Sequence, residues 1–235
     1  MLLEVHGLHA HYGKSHVLDG VDFAVPDAQI MTILGRNGSG RSTLLKAIMG
    51  LVPPSAGSVR CGGKDIARLT PYRIARGGIA YVPEERLVFD SLTVEENLAA
   101  GMLAGVAGAP RWTIKQMYDY FPRLLERRST KAGYLSGGEQ QMLTICRSLL
   151  GNPRMIMIDE PTEGLAPKIV DAVSEVILDI RRRGVGVLLV EQKMTIALRI
   201  AQRLLIMGRG RIVFEGTPGE FESKPEVRQA WLEVG

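Results

Sequence analysis

The sequence is poor in cysteine: it has two, Cys61 and Cys146, far apart and with no metal-type spacing. That leaves no basis for a disulfide framework and suits a reduced compartment. No uninterrupted apolar run reaches about 18 residues, so no bilayer-spanning helix is expected. The opening stretch, MLLEVHGLHAHYG, lacks a basic segment followed by an apolar one, which argues against a secretory leader. The chain is therefore expected to be soluble by itself and to act at a membrane only through partners. Strong charge is missing too. The formal net charge is +4, and the basic runs Arg127–Arg128 and Arg181–Arg183 are short enough to read as solvated helix faces rather than a nucleic-acid patch. There is no internal repeat and no low-complexity segment. Apolar residues, by contrast, make up 46% of the 235 residues, which excludes disorder and is enough to bury one α/β core with a smaller lobe.

The chain starts with strand patterns at Leu2–Leu8 and Val21–Val25. Ile30–Leu34 is an apolar run ending on Gly35, as a buried central strand would be, and a Gly-rich loop and a helix over Leu44–Met49 follow. Gly50 and Pro53–Pro54 stop that helix. Ser58–Arg60 and Ile79–Val82 read as further strands. From Val94 to about Arg128 the pattern turns helical, broken at Gly105, Gly108 and Pro110. Strands then return at Met155–Ile158 and Val185–Val190 around a helix over Ile169–Arg183, and Arg203–Met207 with Arg211–Glu215 reads as a hairpin. Strands alternating with helices imply a mainly parallel sheet. Cys146 falls in the helical stripe Met142, Ile145, Cys146, Leu149 and reads as a core filler.

Three segments carry chemistry. Gly35-Arg36-Asn37-Gly38-Ser39-Gly40-Arg41-Ser42-Thr43 lies between a strand and a helix. Glycines there let backbone N–H groups close around a polyphosphate, and the helix N-terminus adds partial positive charge. Ser42 is placed to offer its hydroxyl to Mg²⁺. Such loops ordinarily carry lysine where this one has Arg41, and a longer, forked guanidinium is not equivalent in a tight cradle. A site that binds nucleotide but hydrolyses it poorly therefore stays open. Next, Met155–Glu160 ends an apolar strand in two carboxylates. Asp159 suits a metal-holding role and Glu160 the orientation of an attacking water. Finally, Leu135-Ser136-Gly137-Gly138-Glu139-Gln140-Gln141 opens a helix. A capping box explains Ser136 and Glu139, but the paired glycines need another reason, and close approach to a phosphate supplies one.

Together, in this order and at this approximate spacing, these segments resemble the nucleotide-binding subunits of ABC transporters, and the resemblance covers essentially the whole chain. It implies an α/β fold of P-loop NTPase type, with a mainly parallel core sheet, an antiparallel N-terminal β region and an inserted helical subdomain. It also implies a single domain over residues 1–235, with its core about 1–92 and 142–235 and its helical part about 93–141. Carried over by position, Tyr12 matches the aromatic that stacks on adenine, and Glu84 stands at the position that senses Mg²⁺ and the γ-phosphate. Gln192 matches the γ-phosphate contact usually made by histidine, and Glu163–Ala166 matches a dimer-contacting loop. Ala80–Glu84, Glu163–Pro167 and Leu188–Gln192 are similar to the ATP-binding subunits of branched-chain amino acid importers and their urea and amide relatives, although Arg41, Glu85 and Arg86 depart from that pattern.

The resemblance implies ATP and Mg²⁺ as ligands, and a head-to-tail pair in which ATP lies between the Gly-rich loop of one subunit and the Ser136–Glu139 segment of another, identical or paralogous. It further implies integral membrane permeases docked on the helical lobe, a solute-binding protein acting indirectly, and a peripheral position on the cytoplasmic face of the inner membrane. Two alternatives remain at this point. Arg41 admits a hydrolysis-impaired regulatory clamp in a heterodimer. A soluble relative acting in DNA repair or translation is disfavoured, because the chain has neither a long coiled-coil insertion nor a second fused ATPase unit.

Overall fold

A computed structural model describes residues 1–233. Its strands are β1 (Leu3–Tyr12), β2 (Ser15–Val25), β3 (Ile30–Gly35), β4 (Ala56–Cys61), β5 (Lys64–Asp65), β6 (Ile79–Val82), β7 (Met155–Asp159), β8 (Gly186–Val190), β9 (Arg203–Gly208) and β10 (Arg211–Gly216). They form two sheets, an antiparallel one in the order β2-β1-β4-β5 and a six-stranded one in the order β10-β9-β3-β8-β7-β6. In the larger sheet β9, β3, β8, β7 and β6 run parallel and β10 turns back antiparallel to β9. This is the α/β architecture that the sequence pattern implies.

The sequence dictates this layering directly. β7 and β8 are buried along their whole length, as unbroken apolar runs must be when both faces are covered. Alternate residues feed two cores. Ile156, Ile158, Val187 and Leu189 pack with the helices Gly137–Leu149 and Pro167–Arg182. Met155, Met157, Leu188 and Val190 pack with the helix Arg41–Ile48 and the N-terminal sheet. In Pro167–Arg182 the buried residues Val170, Val173, Ser174, Val176, Ile177 and Ile180 make one stripe at helical spacing. Cys146 is fully buried in the first core, and burial pushes its thiol up, as a packing role requires.

Several boundaries differ from those read in the sequence. β1 runs on to Tyr12 and β2 begins at Ser15, because register shifts after Val5 and Leu8 keep Leu8 and Ala10 turned inward past the point where simple alternation fails. One of these irregularities sits at Gly7, whose φ is +53°, and the backbone of Gly57 on β4 lies against it. A Cβ on Gly57 would meet the Gly7 carbonyl oxygen at 2.3 Å, so β4 needs glycine there to approach, while Gly7 is favoured by its positive φ alone. The two-residue β5 and the helices Pro71–Arg76, Met194–Ile200, Pro218–Glu222 and Pro225–Trp231 have too little periodicity to be read from sequence.

Between β6 and β7 the chain is helical, as expected, in the segments Val94–Gly101, Ile114–Tyr120, Pro122–Glu126 and Gly137–Leu149, with a 3₁₀ turn at Ala132–Tyr134. Capping boxes start three of them, at Thr93/Glu96, Thr113/Gln116 and Ser136/Glu139. The stretch with Gly105, Gly108 and Pro110 is irregular, as read from the sequence. The side chain of Asn152 anchors it, accepting from the Trp112 amide at 2.7 Å and donating to the Leu103 carbonyl at 2.6 Å.

Candidate functional site

Parallel pairing levels the C-terminal ends of three strands. Val190 on β8 stands beside Ile33 on β3 and Asp159 on β7. The residues just beyond those ends therefore converge: the loop after Gly35, the pair Asp159–Glu160, and Glu191–Gln192. Ligands in open α/β sheets bind at such strand ends.

The loop itself is shaped by close packing. A Cβ on Gly35 would meet the Met207 carbonyl oxygen at 2.5 Å. Gly40 has φ +104°, a region that side chains avoid, and leads straight into the helix Arg41–Ile48. Gly38, at φ +77°, has open space where a Cβ would point. The helix begins three residues earlier than its apolar pattern suggests, so Arg41, Ser42 and Thr43 occupy its first turn.

Arg41 is the main surprise. From sequence, a longer forked guanidinium is a poor match for a tight cradle. Instead the side chain is only 5% exposed and lies inside the site. Its guanidinium pairs with Glu160 Oε1 at 2.8 Å and donates to the Glu191 carbonyl at 3.0 Å and to Asn37 Oδ1 at 3.2 Å. A fork with several donors satisfies three acceptors at once, which a single ammonium point does less well. Glu160 is equally buried, has φ +46°, and accepts a second bond from Gln192 Nε2 at 2.5 Å. Beside this pair the Ser42 hydroxyl donates to Asp159 Oδ1 at 3.2 Å, and the Tyr81 hydroxyl faces the other Asp159 oxygen at 3.4 Å.

These groups line one cleft of about 360 Å³, with Asn37, Gly38, Gly40, Arg41, Ser42 and Thr43 on one side and Glu84, Glu160, Glu163 and Gln192 on the other. The carboxylates of Glu84, Glu160 and Glu163 lie within 4.8 Å of one another. Burial, together with the Glu163 carboxyl, pushes Glu160 up to about 7 against the pull of Arg41. Burial also raises Asp159 from the usual carboxylate range, opposed by the Ser42 hydrogen bond.

The remaining sequence-selected residues lie apart. Tyr12 is half-exposed at the end of β1 and does not line the cleft. Arg36 and Ser39 line a neighbouring hollow next to Trp231. Ser136, Gly138 and Glu139 line a groove of about 760 Å³, with Arg123, Lys168 and Ile169 opposite. Gly137 beside them carries no side chain, and its missing Cβ leaves room for the Arg86 guanidinium, which would otherwise be 2.2 Å away. Glu139 is occupied structurally: it accepts from the Ser136 amide and hydroxyl, both at 2.8 Å, and from Arg123 Nε at 3.1 Å.

Two residues that the sequence pattern gave no role at the site help build it. Glu191 is 2% exposed and accepts from the amides of Gln192 and Lys193, each at 2.9 Å, and from the Thr162 hydroxyl. It thereby ties the segment after Glu160 to the one after β8. Arg86 donates to the Glu163 carbonyl at 2.8 Å while resting on Gly137, so it bridges the acidic loop and the Gly-Gly helix start. A charged residue directly after a fully apolar strand was the available signal for Glu191.

Residues 18–163 match the family described as ABC transporter. The chain is similar to the high-affinity branched-chain amino acid transport ATP-binding protein BraG of Pseudomonas aeruginosa, at 42% identity over 94% of this chain and 95% of that one. It is also similar to the lipopolysaccharide export system ATP-binding protein LptB of Haemophilus influenzae, at 32% identity over 98% and 97%. Among solved structures, a nucleotide-free ATP-binding cassette from an ABC transporter superposes with a TM-score of 0.84 at 28% identity, covering 100% of this chain and 99% of that one.

The raised Glu160 has a thermodynamic consequence. Unfolded, its carboxyl titrates near the ordinary 4.5, and folded near about 7. Between those values the folded state keeps a proton that the unfolded state has released, so rising pH favours unfolding. Glu160→Gln removes this dependence. Urea midpoints at about pH 5 and about pH 8 are expected to show wild type losing stability relative to Glu160→Gln as pH rises, and a pH-independent difference between the two would contradict the shift.

Proposed function

The chain belongs to the ABC transporter family, as an ATP-binding ATPase coupled to transport, and on that premise we propose that it powers import of branched-chain amino acids or related small polar solutes. The observation that carries the catalytic part is the cluster at the strand ends: Arg41 and Gln192 on Glu160, and Ser42 on Asp159. The residues fit a Mg²⁺–triphosphate. The Ser42 and Asp159 oxygens are paired 3.2 Å apart, and Gly38 leaves the loop open. Ser42 and Asp159 would hold the ion, which supplies neutralising charge beside the phosphate oxygens. The loop amides of Gly35–Thr43 and the Arg41 guanidinium bind the phosphates, and Tyr12 stacks on the base. Glu160, poised near neutrality and oriented by Gln192, takes a proton from the attacking water. Glu84 reports on the γ-phosphate from the rim.

One chain does not close this site. Its Ser136–Glu139 segment opens on a different groove from the Arg41–Glu160 cleft. That separation supports a head-to-tail pair with a second ATP-binding subunit, in which nucleotide completes the interface and favours the closed state. The helical part, about residues 93–141 against a core of about 1–92 and 142–235, docks the membrane permeases. A groove of about 410 Å³ where the core meets the helical part supports this: its lining includes the exposed Leu51 and Phe89 from the core and Leu103 from the helical part. Among the described residues no helix is long and apolar enough to cross a membrane, so permeases would hold the chain at the inner face of the membrane. A solute-binding protein delivers substrate from the other side. The amino-acid assignment rests on the likeness to BraG and on the segments Ala80–Glu84, Glu163–Pro167 and Leu188–Gln192.

Three outcomes are expected. Glu160→Gln lowers ATP turnover by roughly 10²–10⁴-fold while ATP stays bound and a dimer accumulates on gel filtration; wild-type turnover would end the proposed role of Glu160. Arg41→Lys raises turnover with nearly unchanged ATP affinity, because the ammonium frees Glu160 from its fork yet keeps its charge near the phosphates. A slower lysine variant alongside a family-typical wild-type rate would mean that the loop has adapted to arginine, whereas a near-zero wild-type rate rescued by lysine would favour a regulatory clamp. Finally, vesicles holding the chain with permeases and a solute-binding protein of a branched-chain amino acid importer should take up labelled leucine only with ATP on the chain's side. ATP-driven movement in the opposite direction would assign it to export.

A further inference from the structure

The chain has four histidines, all between His6 and His16 on the paired strands β1 and β2, and none of them lines the Arg41–Glu160 cleft. Two of them, His9 and His16, come together around Asp19. His9 Nδ1 stands 3.1 Å from His16 Nε2 and 3.7 Å from Asp19 Oδ1, and one ligand atom from each of the three residues lies within 4.8 Å of the other two. A tetrahedral ion with bonds of about 2.0–2.1 Å spaces its donors roughly 3.3–3.4 Å apart, so these atoms already stand near the required separation.

Their surroundings hold them there. The His11 ring stacks on His16 with centroids 4.1 Å apart and planes 3° from parallel, and its Nδ1 pairs with the Ser55 hydroxyl at 3.0 Å. Arg211 on β10 grips Asp19 Oδ2 through Nε at 2.8 Å and Nη2 at 2.5 Å, leaving Oδ1 toward His9. Such outer partners orient ligands in built metal sites. The donor chemistry is selective: two imidazoles with one carboxylate suit zinc-like ions and not Mg²⁺, which takes an all-oxygen shell.

We propose that His9, His16 and Asp19 form a binding site for a zinc-type divalent ion, outside the Arg41–Glu160 cleft. An ion there staples β1 to β2 just below the turn that follows Tyr12, and through Arg211 it touches the edge of the larger sheet. The competing account is a simple hydrogen bond between two imidazoles, in which one ring donates and the other accepts. Zn²⁺ distinguishes the two, because it requires a lone pair from each ring.

The test is calorimetric titration of the untagged, chelator-stripped chain with Zn²⁺ in excess Mg²⁺. One equivalent is expected to bind, with a rise in melting temperature. His9→Ala and His16→Ala should each weaken binding about tenfold or more, as should Asp19→Asn, and Arg211→Ala about tenfold through loss of the carboxylate's outer partner. His6→Ala, which changes a histidine outside the trio, should bind as wild type. Circular dichroism checks that each variant is folded, and the mild Asp19→Asn keeps the test decisive if a histidine variant is not. Absence of saturable binding overturns the proposal. So does binding that survives both His16→Ala and Asp19→Asn, which would place the ion elsewhere, for instance on Glu84, Glu160 and Glu163.

Discussion

A buried ion pair, Arg41 with Glu160, governs the architecture of the cleft. Both side chains are 5% exposed and their charged atoms are 2.8 Å apart. Two charges out of water are tolerated only when paired and hydrogen-bonded, and removing one partner from such a pair costs about 3–5 kcal/mol. The neighbouring groups meet that demand. Asn37 and the Glu191 carbonyl each take a further guanidinium hydrogen, and Gln192 donates to the other Glu160 oxygen. The Gly-rich loop, the acidic strand end and the end of β8 are thus joined by one charge-compensated network, so a change at any of them is felt by the others.

That network also explains why Glu160 sits with φ +46°, a backbone region that costs a non-glycine residue on the order of 1–3 kcal/mol. The strain persists because Glu160 is fixed at both ends. Its amide bonds the Val190 carbonyl at 2.9 Å, and its carboxylate is clamped by Arg41 and Gln192. Glu191, with three donors on its carboxylate, fastens the following turn to Thr162. The acidic loop and the Gln192 turn are one braced unit, while Tyr12 and Glu84 stand on exposed backbone at its edges.

What the sequence made legible were the places where backbone chemistry leaves few options. A Gly-rich turn between an apolar strand and a helix, a strand ending in Asp159–Glu160, and Ser136 followed by two glycines each have a short list of explanations. The α/β layering followed from unbroken apolar runs alternating with helical stripes. The direction of the Arg41 side chain was not legible, because two of its acceptors belong to Glu160 and Glu191, far along the chain and brought near only by parallel register. The roles of Glu191 and Arg86 were hidden for the same reason. The hairpin up to Tyr12 was under-read because bulges break the alternation that pattern reading relies on.

The strand order β3-β8-β7 makes the sheet act as a ruler. One strand always intervenes between the loop that follows β3 and the acids that follow β7. The gap between them is therefore two inter-strand steps, about 10 Å. Main-chain hydrogen bonds set that width, and no side chain contributes to it. Surface and core residues of such a fold are free to drift without altering the span across which phosphate grip and water activation face each other. What drift cannot alter is the identity of the intervening strand: exchanging β8 for any other neighbour would change the length of the gauge itself.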